Sequence, residues 1–305
     1  MMGQGCGLYA LWHITRVCNF GCKFCCSSRK NAAFSHIPVE QMCRALGEHG
    51  DEWTVCISGG EPFLHPDFID ACKGLTRGFQ VKINSNLSLR DKIEEFSGAI
   101  DPRRVSLIEA SLHIEEREKL GKVEEFADNV LLLRSRGFKV KVRSVLHPTL
   151  IERFVSDARY FAGKGIKVCP VPFKGSYSGK MYPNAYPAGI KKLIRDNNPS
   201  SAFYPFCFKG INCSSGSRFI YINPSGIVSR CLDDATVLGD IRRGFRLSDG
   251  ASPCRSYCCS CFGYDLIESR PFARDRTNYN HFYKFMSNLR YMSLKRFLLR
   301  SLRLE

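Results

Sequence analysis

The alternation of strand-like and helix-like runs over residues 8–172 constrains the fold of this chain more than any other feature. Strand candidates are Leu8–Thr15, Trp53–Ser58, Phe79–Asn84, Val105–Leu112, Phe138–Leu146 and Ile166–Val171. They are rich in Val, Ile, Leu and Phe, which fill a pleated, buried surface. Between them lie segments with helical spacing. Val39–Glu48 follows Pro38, whose fixed φ suits a helix start. Phe68–Leu75 follows Pro66 and Asp67, and Glu124–Arg136 carries Phe126, Val130, Leu131 and Leu133 at helical intervals, with Gly137 placed to cap it. Six strand–helix units predict a parallel sheet with helices outside. Six strands fall short of a closed eight-stranded barrel. The expected fold is therefore α/β, a partial (β/α)6 parallel TIM-like barrel with reactive residues at the carboxyl ends of its strands.

Residues 173–206 break the rhythm with Gly175, Gly179, Pro183, Pro187 and Pro199, leaving one helix at Ala188–Arg195. Residues 207–265 read as short strands, glycines and cysteines, and residues 279–304 as a basic helix. These shifts predict a barrel over 1–205, a small C-terminal cluster-binding region over 206–265 and a basic amphipathic helix within 266–305. One face of that helix carries Phe282, Phe285, Met286, Leu289 and Met292. It either packs on the barrel or lies on an anionic membrane surface or an acidic partner.

The chain has 305 residues and 16 cysteines. No run approaches the roughly 18 apolar residues that span a bilayer. Met1–Tyr9 has no basic region ahead of an apolar stretch, so the expected location is cytoplasmic. In a reducing compartment, clustered thiols bind metal more often than they pair. Cys18, Cys22, Cys25 and Cys26 form one cluster; Cys254, Cys258, Cys259 and Cys261 form another, with Cys207, Cys213 and Cys231 upstream. Cys6, Cys43, Cys56, Cys72 and Cys169 are scattered and read as small buried apolar residues. The net charge of +16 suits nucleic acid, an anionic membrane or an acidic substrate without choosing among them. No helix-turn-helix, zinc-finger or RNA-binding signature supports nucleic acid.

The motif Cys18-Asn-Phe-Gly-Cys22-Lys-Phe-Cys25 directly follows the first strand. Structural zinc sites close all four positions, and thioredoxin-like sites use a single Cys-x-x-Cys. Three thiolates in one tight loop suit a four-iron cubane with one iron left open, and Gly21 lets the loop bend. With Phe24 just before the last cysteine, the motif resembles the signature of radical S-adenosylmethionine (SAM) enzymes. The resemblance implies a [4Fe–4S] cluster on Cys18, Cys22 and Cys25 whose open iron binds SAM. One electron then yields a 5′-deoxyadenosyl radical that abstracts hydrogen from substrate. It also implies an electron donor such as flavodoxin or ferredoxin.

Ser58-Gly59-Gly60-Glu61-Pro62 ends the second strand and resembles the GGEP motif of the same family, which binds the SAM amino group. Glycines allow close backbone approach, and a carboxylate can accept from an ammonium. Further likenesses give cofactor-binding candidates at Asn84, in Asn84-Ser85-Asn86, and at Ser111, in Ser111-Leu112-His113. His113 stands where relatives carry Asp. Arg143, on the fifth strand, pairs either with the SAM carboxylate or in a structural ion pair. Val168–Val171 could meet the adenine through backbone groups, and His13 reads as a core histidine.

Cys213, twelve residues, Gly226, four residues and Cys231 describe a hairpin with a cysteine at each end. Cys258-Cys-Ser-Cys261 adds a second pair. The layout resembles the auxiliary-cluster region of SPASM and twitch radical SAM enzymes. It implies one auxiliary [4Fe–4S] cluster on Cys213, Cys231, Cys258 and Cys261, with Cys254 and Cys259 as substitutes. The alternative is a zinc ribbon on the same four thiolates. The implied activity is hydrogen abstraction, completed by oxidation, on a small polar molecule or a peptide. With the first strand at Leu8, no room is expected for an N-terminal peptide-binding domain, which tilts the reading toward a small substrate. The rivals are a maturase that crosslinks or epimerises peptides, and a non-catalytic iron–sulfur or zinc protein that binds nucleic acid.

Overall fold

The computed structural model describes residues 7–25, 34–198, 209–210 and 212–255. Six parallel strands follow the predicted order: β1 (Leu8–Thr15), β2 (Trp53–Gly59), β3 (Gln80–Ser85), β4 (Val105–Ser111), β5 (Val140–Leu146) and β6 (Val168–Pro172). Each adjacent pair encloses helix: α1 (Val39–Gly47), α2 (Phe68–Gly78), α3 (Arg90–Ala99), α4 (Ile114–Lys119) with α5 (Val123–Ser135), and α6 (Phe154–Gly163). α7 (Ala188–Asn197) follows β6. This is the partial TIM-like barrel expected from the alternation.

The period of two along β1 explains its place. Ala10, Trp12 and Ile14 enter the main core between sheet and helices. Tyr9 and Leu11 face the other way, into a smaller buried cluster. The main core takes Met42 and Leu46 from α1, Leu75 from α2 and Leu133 from α5. Phe63, Phe68, Phe96 and Phe138 run through it, with successive ring centroids 4.6, 5.9 and 5.3 Å apart. Each such fully buried ring contributes about 1.5–3 kcal/mol of burial.

β1 is not the edge of the sheet. Short strands β7 (Gly175–Tyr177) and β8 (Lys180–Tyr182) form a separate hairpin in the segment read as connector. Ser178 and Gly179, at φ +47° and +70°, make the tight turn there. β9 (Asn212–Cys213) precedes β10 (Phe219–Ile222), which lies parallel to β1 with Tyr9 opposite Phe219 and Trp12 opposite Ile222. β11 (Ile227–Ser229), β12 (Val237–Asp240) and β13 (Gly244–Phe245) extend the sheet by antiparallel pairing to ten strands. The predicted hairpin at Gly226 is present, but it continues the barrel sheet. All four side chains of β10 are buried, so it belongs against another strand. β14 (Ser252–Pro253) returns to pair with β9.

The chain divides into compact units Met1–Leu266 and Ile267–Glu305. The expected C-terminal helix lies outside the described residues, as do Cys258 and Cys261. No helix among the described residues is long and apolar enough to cross a membrane.

The ends of β1 and β2 meet closely. Gly60 N–H donates to Thr15 O and Glu61 N–H to Val17 O, both at 2.8 Å. A Cβ on Gly60 would stand 1.9 Å from Val17 O, and one on Gly59, at φ +127°, 2.1 Å from Thr15 O. The clash is with backbone, which cannot swing away. Gly60→Ala should cost about 3 kcal/mol by urea denaturation, the upper end of overpacking penalties. A cost below about 1 kcal/mol would mean that the strand ends part freely.

Candidate functional site

A cavity of about 280 Å³ opens between the cysteine loop and the carboxyl ends of the strands. Cys18, Cys22, Phe24 and Cys25 line it from the loop after β1. Gly59 and Gly60 reach it from the end of β2, Asn84 from β3, Ser111 from β4 and Arg143 from β5. Nine predicted site residues from five strand–loop units therefore meet in one place. Carboxyl ends converge because every strand of this part of the sheet runs the same way.

Glu61 and Pro62 stand behind this wall rather than in it. Glu61 is 1% exposed, and its carboxylate accepts three hydrogen bonds from the protein. Its Oε1 accepts from Phe63 N–H at 3.1 Å and Ser85 Oγ at 2.7 Å, and its Oε2 from Asn86 N–H at 2.6 Å. The carboxylate caps the turn Pro62–Leu64 and ties it to the end of β3. Burial pushes the Glu61 carboxyl up to about 7, against the opposing effect of those three donors.

The cysteine loop is held from both sides. Asn19 Nδ2 donates to Ser88 Oγ at 2.8 Å, and Asn86 Nδ2 donates to Asn19 Oδ1 at 3.0 Å. Cys25 N–H closes a turn on Cys22 O at 3.1 Å. Phe24 lies parallel to His147 at 5.8 Å. Burial pushes the Cys18 thiol up to about 11 and the Cys22 thiol up to about 12, where Glu116 adds to the effect. Both are thiols at neutral pH, so a metal centre must displace their protons.

Arg143 shares Glu109. Arg143 Nη1 lies 2.6 Å and Lys82 Nζ 3.2 Å from Glu109 Oε2. Burial opposes ionisation of Glu109, but these two cations outweigh it and hold the carboxyl below its ordinary value. Arg143 thus forms the structural ion pair and also lines the cavity, as does Glu109. Asn84 Oδ1 is buried, and no donor among the described residues reaches it. His113 also lines the cavity; burial, with Arg117 nearby, holds it down to about 4, so it is neutral. His13 is the core histidine expected, 3.1 Å from the Tyr221 hydroxyl.

Sequence reasoning missed Arg117 and Asn86. Arg117 is 1% exposed. It donates to the carbonyls of Asn86, Ser111 and Leu112, joining the ends of β3 and β4, and lies over the Phe126 ring at 3.9 Å. A lone Arg among the exposed charges of a short helix gives no signal of burial.

The second cysteine set is only partly described. Cys213 and Cys231 are buried with Tyr9, Leu11, Cys56, Phe219 and Tyr221, and Cys254 packs against them. Arg230, ion-paired with Asp234 at 3.1 Å, donates to the carbonyls of Cys213, Ser215, Ser252 and Pro253. It thereby fastens β9 and β14 to the hairpin. A cavity of about 690 Å³ opens beside Cys254 and Arg230.

Three thiols on one cavity wall and an unsatisfied buried acceptor opposite polar and cationic groups fit an iron–sulfur cluster with a polar ligand. Residues 12–160 match the family model of the Radical SAM superfamily. The chain carries a radical SAM domain. Among curated proteins, it is similar to 7-carboxy-7-deazaguanine synthase of Thermoplasma acidophilum, 27% identical over 96 residues, covering 30% of this chain and 46% of that protein. It is also similar to the S-adenosylmethionine-dependent nucleotide dehydratase RSAD2 of Danio rerio, 29% identical over 165 residues, covering 48% of this chain and 44% of that protein. The match spans less than half the length of either relative. Among solved structures, anSMEcpe with bound AdoMet has a TM-score of 0.57 at 17% identity, over 78% of both chains. At that identity the likeness is one of fold. The radical SAM domain implies a [4Fe–4S] cluster and SAM.

Glu61 gives this domain a testable pH dependence. Its folded-state value of about 7 lies above the ordinary 4.5, so the fold favours the protonated carboxyl. The stabilisation due to that proton is complete below about 4.5 and is lost as pH rises through about 7. Unfolding free energy of the wild type, measured against Glu61→Gln, should fall across this window. A flat difference would show that the carboxyl titrates at its ordinary value.

Proposed function

We propose that this protein is a radical SAM enzyme that abstracts hydrogen from a small polar molecule or a peptide side chain. The observation that carries this reading is the convergence of Cys18, Cys22 and Cys25 with Gly59, Gly60, Asn84, Ser111 and Arg143 on one cavity. When bound, the cluster and SAM supply a 5′-deoxyadenosyl radical. The chain's own residues bind and orient. Cys18, Cys22 and Cys25 would hold the cluster as thiolates, with the protons that burial keeps on Cys18 and Cys22 displaced on binding. Asn84 Oδ1 accepts from an N–H or O–H of the ligand, which removes the cost of an unpaired buried acceptor. Arg143 meets a carboxylate while Glu109 holds the guanidinium in place. Gly60 presents backbone where no side chain fits. Phe20, Phe24, Val145 and Val171 line the cavity with apolar surface that limits water.

Cys213, Cys231, Cys258 and Cys261 are proposed to ligate one auxiliary [4Fe–4S] cluster of SPASM or twitch type, which completes an oxidation. The burial of Cys213 and Cys231 in one cluster supports this, and Cys254, a substitute candidate, packs against the same cluster. The proposed regions are the barrel over 1–205, the auxiliary region over 206–265 and a basic C-terminal segment over 266–305. A peptide substrate is supported by the anSMEcpe fold, which is also known with AdoMet and a Cp18Cys peptide. An electron donor such as flavodoxin or ferredoxin is required.

Anaerobic reconstitution with iron and sulfide, then dithionite and SAM, should yield 5′-deoxyadenosine by mass spectrometry. Cys22→Ala should abolish it; full cleavage in that variant would overturn the reading. Cys231→Ala should keep 5′-deoxyadenosine formation while lowering bound iron by about four atoms per chain, the content of one cubane. Unchanged iron in that variant would remove the auxiliary site.

A further inference from the structure

Four residues at the start of α4 each engage the cysteine loop. The His113 ring meets Phe20 and Phe24 at 6.0 and 5.9 Å. Glu115 pairs with Lys23 at 3.5 Å. Glu116 Oε2 accepts from Gly21 N–H at 2.8 Å. The Arg117 guanidinium lies 5.4 Å from the centre of the Phe20 ring. Residues 113–117 thus grip residues 20–24 from ring to backbone.

Within this grip Glu116 is distinct. Gly21 precedes Cys22, so the bond brings a carboxylate against the backbone beside that cysteine. The Glu116 side chain is 13% exposed, so its charge acts through poorly solvated space. Lys119 and Arg117 are cations near it among the described residues. Lys119 pairs with Glu116 but is 59% exposed, and water screens it. Arg117 directs its guanidinium to the carbonyls of Asn86, Ser111 and Leu112. The bond also removes the Gly21 N–H as a donor to cluster sulfur. Net charge and hydrogen bonds to sulfur both set the potential of an iron–sulfur centre.

We propose that Glu116 is a positioning residue that lowers the reduction potential of the cluster held by Cys18, Cys22 and Cys25, through its carboxylate charge and its capture of the Gly21 N–H. The inference rests on the proposed function. A negative charge beside the centre disfavours adding an electron, so the reduced cluster becomes a stronger one-electron donor. Glu116 touches neither substrate nor the reacting atoms.

The test is an EPR-monitored redox titration of reconstituted protein without SAM, with Cys231→Ala as the common background so that one cluster is read. Glu116→Gln, which keeps an acceptor for Gly21 but loses the charge, should raise the midpoint potential. Glu116→Asp, which keeps the charge, should shift it less. Glu94→Gln, the same charge change in the exposed pair with Arg90, should leave it unmoved. An unshifted Glu116→Gln, or equal shifts in Gln and Asp, overturns the proposal. Loss of iron in both Glu116 variants assigns the residue a structural role and overturns it too. If the background protein forms no [4Fe–4S] signal at all, it is the proposed function that fails.

Discussion

The buried carboxylate of Glu61 accepts three hydrogen bonds from two strand ends, and the shape of the cavity depends on it. It cannot leave these donors without stranding them, since each unpaired buried donor costs about 1–3 kcal/mol. Through Asn86 the network continues outward. The Asn86 side chain reaches Asn19 of the cysteine loop, and its carbonyl accepts from Arg117. Arg117 in turn holds the carbonyls of Ser111 and Leu112. One polar chain thus runs from the end of β2 through β3 to β4, with the cysteine loop tied to it. Buried networks of this kind rigidify when every member is satisfied.

Around that frame the charges are arranged unequally. Lys82 and Arg143 share Glu109 inside the barrel. Burial keeps His113 neutral and Cys18 and Cys22 protonated. The acidic start of α4 stands against the cysteine loop.

The second cysteine region is not a separate appendage. β10 lies against β1, and Tyr9 stacks on Phe219 at 5.9 Å across that junction. Cys213, on β9 of the separate β9–β14 pair, and Cys231, just after β11, are buried against that junction. Arg230 secures them by pairing with Asp234 and bonding four carbonyls.

Much was legible along the chain. The alternation of apolar runs gave the order of the six parallel strands, because burial on both faces demands continuous Val, Ile, Leu and Phe. Cysteine spacing located the loop after β1, since ligand chemistry depends on residues a few positions apart. The adjacency of β10 and β1 was not legible, because a strand's partner is chosen by contacts some 200 residues away. The contacts of Glu61, Arg117 and Glu116 were likewise decided only in the fold. A motif shows that a carboxylate is present, but which way it turns depends on donors from other strands. For Glu61 those donors are Ser85 and Asn86, and they hold it inward. The sequence by itself determined the barrel and its three clustered thiols; tertiary structure decided which polar side chains face the cavity, because burial and hydrogen-bond partners arise only when the strand ends meet.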